Sequence, residues 1–127
     1  MERPVYFTNY HGLSSGTDVP GSTQLGKTFY FADVPSGAGA TSFLTILNPG
    51  GTTANVTVNY FAGGAKVGTQ TLAVTANSRG TIVPGLITLP AHSAAVVTSD
   101  QSVVVERPTY FFSANGLAGA ADVVGVQ

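Results

Sequence analysis

Asn55-Val56-Thr57-Val58-Asn59-Tyr60 alternates polar and apolar residues without a break. Successive side chains of a β-strand point to opposite faces, so Val56, Val58 and Tyr60 share one face while Asn55, Thr57 and Asn59 share the other. A half-buried strand is predicted here, and its neighbours extend the pattern in both directions. Downstream, Ala62-Gly63-Gly64-Ala65 reads as a hairpin loop, and Lys66 to Val74 returns with Leu72 and Val74 inward. Ala76-Asn77-Ser78-Arg79 then turns the chain into Thr81-Ile82-Val83, which Pro84-Gly85 and Leu89-Pro90 interrupt. Upstream, Asn48-Pro49-Gly50-Gly51 is a turn in which proline fixes φ and the glycines are expected at positive φ. Thr41 to Asn48 before it carries apolar groups on both faces, as a central strand does.

Further out, Pro35 to Ala40 is a flexible break, and Lys27 to Ala32 is another strand. Ala94 to Thr98 and Val103 to Arg107 are expected to form a last hairpin around Ser99-Asp100-Gln101-Ser102, with a tight turn at Asn115-Gly116. Asn9 to Ser22, rich in Gly, Ser and Asn, reads as loop. Seven to nine short strands at close spacing, with no helical period, predict an all-β fold, an immunoglobulin-like sandwich of antiparallel strands.

Both ends of the chain carry one motif. Glu2-Arg3-Pro4-Val5-Tyr6-Phe7 returns as Glu106-Arg107-Pro108-Thr109-Tyr110-Phe111, an offset of 104 residues, 106 less 2. The match continues through Gly12-Leu13, Asp18-Val19 and Gly21, giving ten identities in twenty positions. Self-similarity at a fixed period marks a tandem array. Residues 1–21 are therefore expected to be the tail of a preceding repeat lending an edge strand, and residues 22–127 one complete repeat.

Composition narrows the function classes. Charged residues make up 9% of the chain, against roughly 25% in an ordinary domain. A net charge of −1 offers no basic patch for nucleic acid or an anionic membrane. Membrane insertion is not expected, since no apolar run approaches the ~20 residues needed to cross a bilayer. With no cysteine there is no disulfide or thiol chemistry.

Several segments follow one another along the chain: Tyr30-Phe31-Ala32-Asp33, Phe43 to Pro49, Ala54 to Tyr60, Ala76 to Arg79, Thr98 to Gln101, the second Glu-Arg-Pro motif, and Asp122 to Val126. In that order they resemble tandem repeats of ~100 residues found in large secreted and cell-surface bacterial proteins. Such repeats carry Trp where this chain has Phe29, Glu-Gly where it has Asp33-Val34, and His where it has Thr17 and Ala121. The resemblance implies an extracellular or cell-surface location and a structural or adhesive part, and it supplies no catalytic residue.

Candidate chemistry is sparse. His11 and His92 stand among small loop residues, without the clustered ligands a metal needs. His92, Ser93 and Asp100 make a triad only on paper, because no nucleophile-elbow sequence surrounds the serine. Asp18, Asp33, Asp100 and Asp122 read as turn formers rather than calcium ligands. No enzyme activity, cofactor or metal is expected. Glu106 and Arg107, adjacent on a strand, project to opposite faces and must each find a partner elsewhere.

The expected function is that of a structural repeat unit, a spacer or building block of an extracellular fibre, stalk or adhesin. Its partners would be neighbouring repeats or identical copies, meeting head to tail through Glu2, Arg3, Tyr6, Phe7, Glu106, Arg107, Tyr110 and Phe111. The alternative is a carbohydrate-binding module, in which Tyr6, Tyr10, Tyr30, Tyr60 and Tyr110 stack on glycans. A row of exposed tyrosines on one face would favour that alternative.

Overall fold

The computed structural model describes residues 2–10, 13–112 and 118–127. His11 and the turn expected at Asn115-Gly116 lie outside them. The strands run β1 (Glu2–Tyr10), β2 (Leu13–Pro20), β3 (Gly26–Phe31), β4 (Ser36–Gly37), β5 (Ala40–Ser42), β6 (Leu44–Asn48), β7 (Ala54–Ala62), β8 (Ala65–Val74), β9 (Ser78–Ile82), β10 (Ala94–Phe112) and β11 (Ala118–Val124). A 3₁₀ turn at Pro84–Leu86 fills the Pro-Gly break. The chain is an all-β, antiparallel sandwich, as the alternation predicts.

One strand belongs to both sheets. Ala94 to Ser99 of β10 lies between β3 and β7, and β8 extends that sheet beyond β7. From Val104 onward β10 pairs with β6 and β5 on one edge and with β11 on the other, while β9 lies beyond β6. The hairpin expected around Ser99–Ser102 is therefore a continuous strand. Nothing in that tetrapeptide supplies the Gly or Asn-Gly that a tight hairpin requires. Instead Asp100 accepts hydrogen bonds from the Asn55 backbone N–H (2.8 Å) and side-chain amide (2.7 Å), which ties the crossover to β7. The register with β3 shifts between Thr98 and Val103, where the strand passes from one sheet to the other.

The core is what the alternation predicts. Val56, Val58 and Tyr60 are buried to 1% exposure or less, against Phe29, Val97, Leu44, Ile46 and Val105. The Tyr60 hydroxyl reaches Gln70 Oε1 at 2.7 Å, so its burial strands no donor, and that burial raises its pKa. Gly63 (φ 58°) and Gly64 (φ 79°) take the left-handed conformations that a two-residue hairpin demands. Gly50 and Gly51 do not have positive φ, contrary to expectation. The buried Asn48 side chain organises that turn instead. It accepts from Gly50 N–H and donates to the carbonyls of Thr52, Val74 and Thr75.

The first 20 residues differ from expectation in two ways. Within Asn9 to Ser22, expected as loop, Leu13–Pro20 forms β2 against β1. Ser14, Ser15, Gly16 and Asp18 are poor strand formers, so pairing and the burial of Val19 override propensity. Nor does β1 lend an edge strand to the sandwich, since β1 and β2 make a two-stranded sheet of their own.

Candidate inter-hairpin interface

The duplicated motif folds twice into the same hairpin. Glu2 pairs with Pro20, Arg3 with Val19, Pro4 with Asp18 and Phe7 with Ser15. At the same offset, Glu106 pairs with Val124, Arg107 with Val123, Pro108 with Asp122 and Phe111 with Gly119. Alternation then divides each hairpin into two faces. One carries Arg3, Val5, Phe7 and Val19, or Arg107, Thr109, Phe111 and Val123 in the second copy. The other carries Glu2, Pro4, Tyr6 and Asp18, or Glu106, Pro108, Tyr110 and Asp122.

The basic face of the first hairpin packs on the acidic face of the second. β2 lies against β11. Arg3 Nη2 donates to Glu106 Oε2 at 2.8 Å and to Asp122 Oδ2 at 2.6 Å. The Arg3 side chain keeps 49% of its surface in water, whereas Asp122 keeps 1%. Burial pushes the Asp122 carboxyl up, the Glu106 charge pushes the same way, and Arg3 opposes both. Phe7 meets Tyr110 edge to face, with centroids 5.2 Å apart, and Phe43 meets the same ring at 6.0 Å. Val19 is 1% exposed, which closes the apolar part of the contact. Beneath β1 the packing is open. A cavity of about 410 Å³ separates Arg3 and Val19 from Leu47 and Val104, and a second of about 250 Å³ lies between Phe7 and Thr81.

The expected contact residues thus divide. Arg3, Phe7, Glu106 and Tyr110 come together. Tyr6 faces solvent on the far side of the first hairpin, 81% exposed, and Glu2, also exposed, borders the larger cavity. Arg107 lies on the opposite face of its strand; burial lowers its pKa, and the charges of Asp33 and Asp122 oppose that. Phe111 stays 41% exposed. Asp122, Val19 and Phe43 were absent from the expected set. Asp122 and Val19 belong to the duplicated identities, and that signal was available to find them. Phe43 lies outside the repeat and had none.

The other candidate residues stay apart. Ser93 Oγ donates to the Pro90 carbonyl, Asp100 is held by Asn55, and His92 sits at the surface 3.2 Å from Asp33, so the paper triad is dispersed. Among the described residues no three of His, Cys, Asp and Glu converge on one point. Tyr60 is buried, Tyr110 meets two phenylalanines edge to face, and Tyr30 and Tyr6 are exposed on different sheets, so these tyrosines form no row.

No protein-family model and no curated protein matches the sequence. Two solved structures share the fold. The crystal structure of Thermotoga maritima 1070 aligns with a TM-score of 0.68 at 16% identity, over 79% of this chain and 92% of that one. The Anabaena sensory rhodopsin transducer aligns with a TM-score of 0.52 at 21% identity, over 64% of this chain and 85% of that one. At such identities the likeness is one of architecture, and function has to be argued from the site.

Proposed function

We propose that this chain is a structural repeat unit of an extracellular or cell-surface fibre, stalk or adhesin. One observation carries the reading. Two hairpins 104 residues apart have the same strand register and meet through complementary faces, with Arg3 on Glu106 and Asp122 and Phe7 on Tyr110. A composition of 9% charged residues with sixteen threonines and a net charge of −1 suits a near-neutral rod. The scattered tyrosines weigh against the carbohydrate-binding alternative.

Extending the chain by one period tests this reading. Residues 1–125 followed directly by residues 22–127 keep the 104-residue spacing and add one unit with its hairpin. Small-angle scattering should give a maximum dimension longer by one fixed step, with the rigid profile of a rod. Two sandwiches tumbling about a flexible joint would overturn the proposal. A glycan array showing saturable binding, lost on Tyr6→Ala or Tyr30→Ala, would replace it with the carbohydrate reading.

A further inference from the structure

Among the described residues, the first hairpin has no ladder hydrogen bonds to either sheet of the sandwich, since β1 and β2 pair only with each other. Side chains hold it in place, chiefly Arg3 with its two carboxylates, Phe7 on Tyr110, and Val19. Its connection to β3 is residues 21–25, which belong to no strand, and of these only Ser22 is not exposed. Five residues reach at most about 17 Å when extended, enough to swing the hairpin away from its own sandwich. The seat it leaves is loosely filled, with two cavities beneath β1.

The motif's basic face also has more than one home within this molecule. In the second copy only its centre packs inward, where Thr109 is fully buried and shares a 3.0 Å hydrogen bond with Ser42 Oγ, while Phe111 and Val123 stay exposed. In the first copy the same face rests on Glu106, Asp122 and Tyr110. A contact of this kind is heterologous, because a basic face meets an acidic face and never its own kind.

We propose that the first hairpin is an exchangeable arm whose occupant site is a second copy of this chain. The Arg3–Val5–Phe7 face of one molecule docks on the Glu106–Asp122–Tyr110 face of the next and links chains head to tail. This inference rests on the structural-unit reading and names the partner of the same interface. The bonds made between molecules are those made within one, so the folded monomer wins at low concentration through the short tether alone. Repeated exchange leaves one free arm and one free seat at the ends and propagates, unless two molecules exchange reciprocally.

Charge reversal separates the internal contact from the external one. Arg3→Glu spoils the arm and keeps the seat, and Glu106→Arg spoils the seat and keeps the arm. Neither variant can close on itself, and neither pairs with its own kind. Mixed in equal amounts, they should form a complex in which the arm of the second docks on the seat of the first. Sedimentation velocity should then show a doubled mass for the mixture beside two monomeric controls. The double variant Arg3→Glu/Glu106→Arg should close internally and stay monomeric. A mixture that sediments as two monomers overturns the exchange. Amide exchange on the single variants tells that failure from failure of the underlying reading. If β1 and β2 lose protection relative to the unaltered chain, the internal contact is real and only the exchange is wrong; unchanged protection removes the interface itself. Protected β6 and β10 amides in each variant confirm that the sandwich remains folded.

Discussion

The two hairpins share ten of twenty residues and one strand register, yet they live in different surroundings. In the second copy, Thr109 on the basic face is fully buried against Ser42, and the acidic face is covered by Arg3 and Phe7. In the first copy, the basic face does the covering, and the acidic face is bare, with Tyr6 standing in solvent. The motif thus specifies a hairpin with two chemically distinct faces. Which face is buried depends on what lies next to it.

The difference is broken most strongly in the core that only the second hairpin joins. Ile46, fully buried and paired with Val105 of β10, should cost about 2–5 kcal/mol of global stability on Ile46→Ala. Val19→Ala, at the equally buried site in the first hairpin, should speed amide exchange in β1 and β2 while leaving the melting temperature of the sandwich in place.

Positions 5 and 109 correspond and invert the usual choice of residue, with valine in the half-buried setting and threonine in the fully buried one. Thr109→Val orphans the buried Ser42 hydroxyl and should cost about 1–3 kcal/mol in denaturant unfolding. Val5→Thr should stay within about 0.5 kcal/mol. Equal costs at the two positions would mean that the hairpins are held alike.

Arg3→Ala leaves Asp122 buried without its nearest countercharge. It should weaken seating of the first hairpin by about 1–2 kcal/mol, less than for a fully buried pair, because half of Arg3 remains in water. Exchange rates of the β1 amides report that loss. Arg107→Ala, on the corresponding residue, should leave those amides unchanged.

The smallest effect is a pH dependence. The groups around Asp122 are Glu106, Arg3 and Arg107, and burial together with Glu106 holds its pKa above the ordinary value. The folded chain therefore binds that proton more tightly than an unfolded one. The Asp122 contribution is a penalty at neutral pH that is relieved as pH falls through the raised value, and it levels off below the unfolded value near ~3.9. Asp122→Asn should flatten this part of the profile in a stability titration while still accepting a hydrogen bond from Arg3.

The strands around Val56, Val58 and Tyr60, the Gly63-Gly64 hairpin and the duplicated motif were legible in the sequence, because each depends on residues close together in the chain. Period-two alternation fixes a strand and its inward face, paired glycines fix a tight turn, and a repeated hexapeptide announces itself by identity. Tertiary structure alone decided that β10 runs unbroken through Ser99–Ser102, since that rests on Asp100 reaching Asn55 across the sheet. It alone made Leu13–Pro20 a strand, through pairing that outweighs the low propensity of Ser14, Ser15 and Gly16. It also decided that Arg3 rather than Arg107 meets Glu106 and Asp122. Both arginines follow a glutamate and precede a proline, so their local sequence is the same. They differ only in which surface the fold brings within the 2.6–2.8 Å reach of a hydrogen bond.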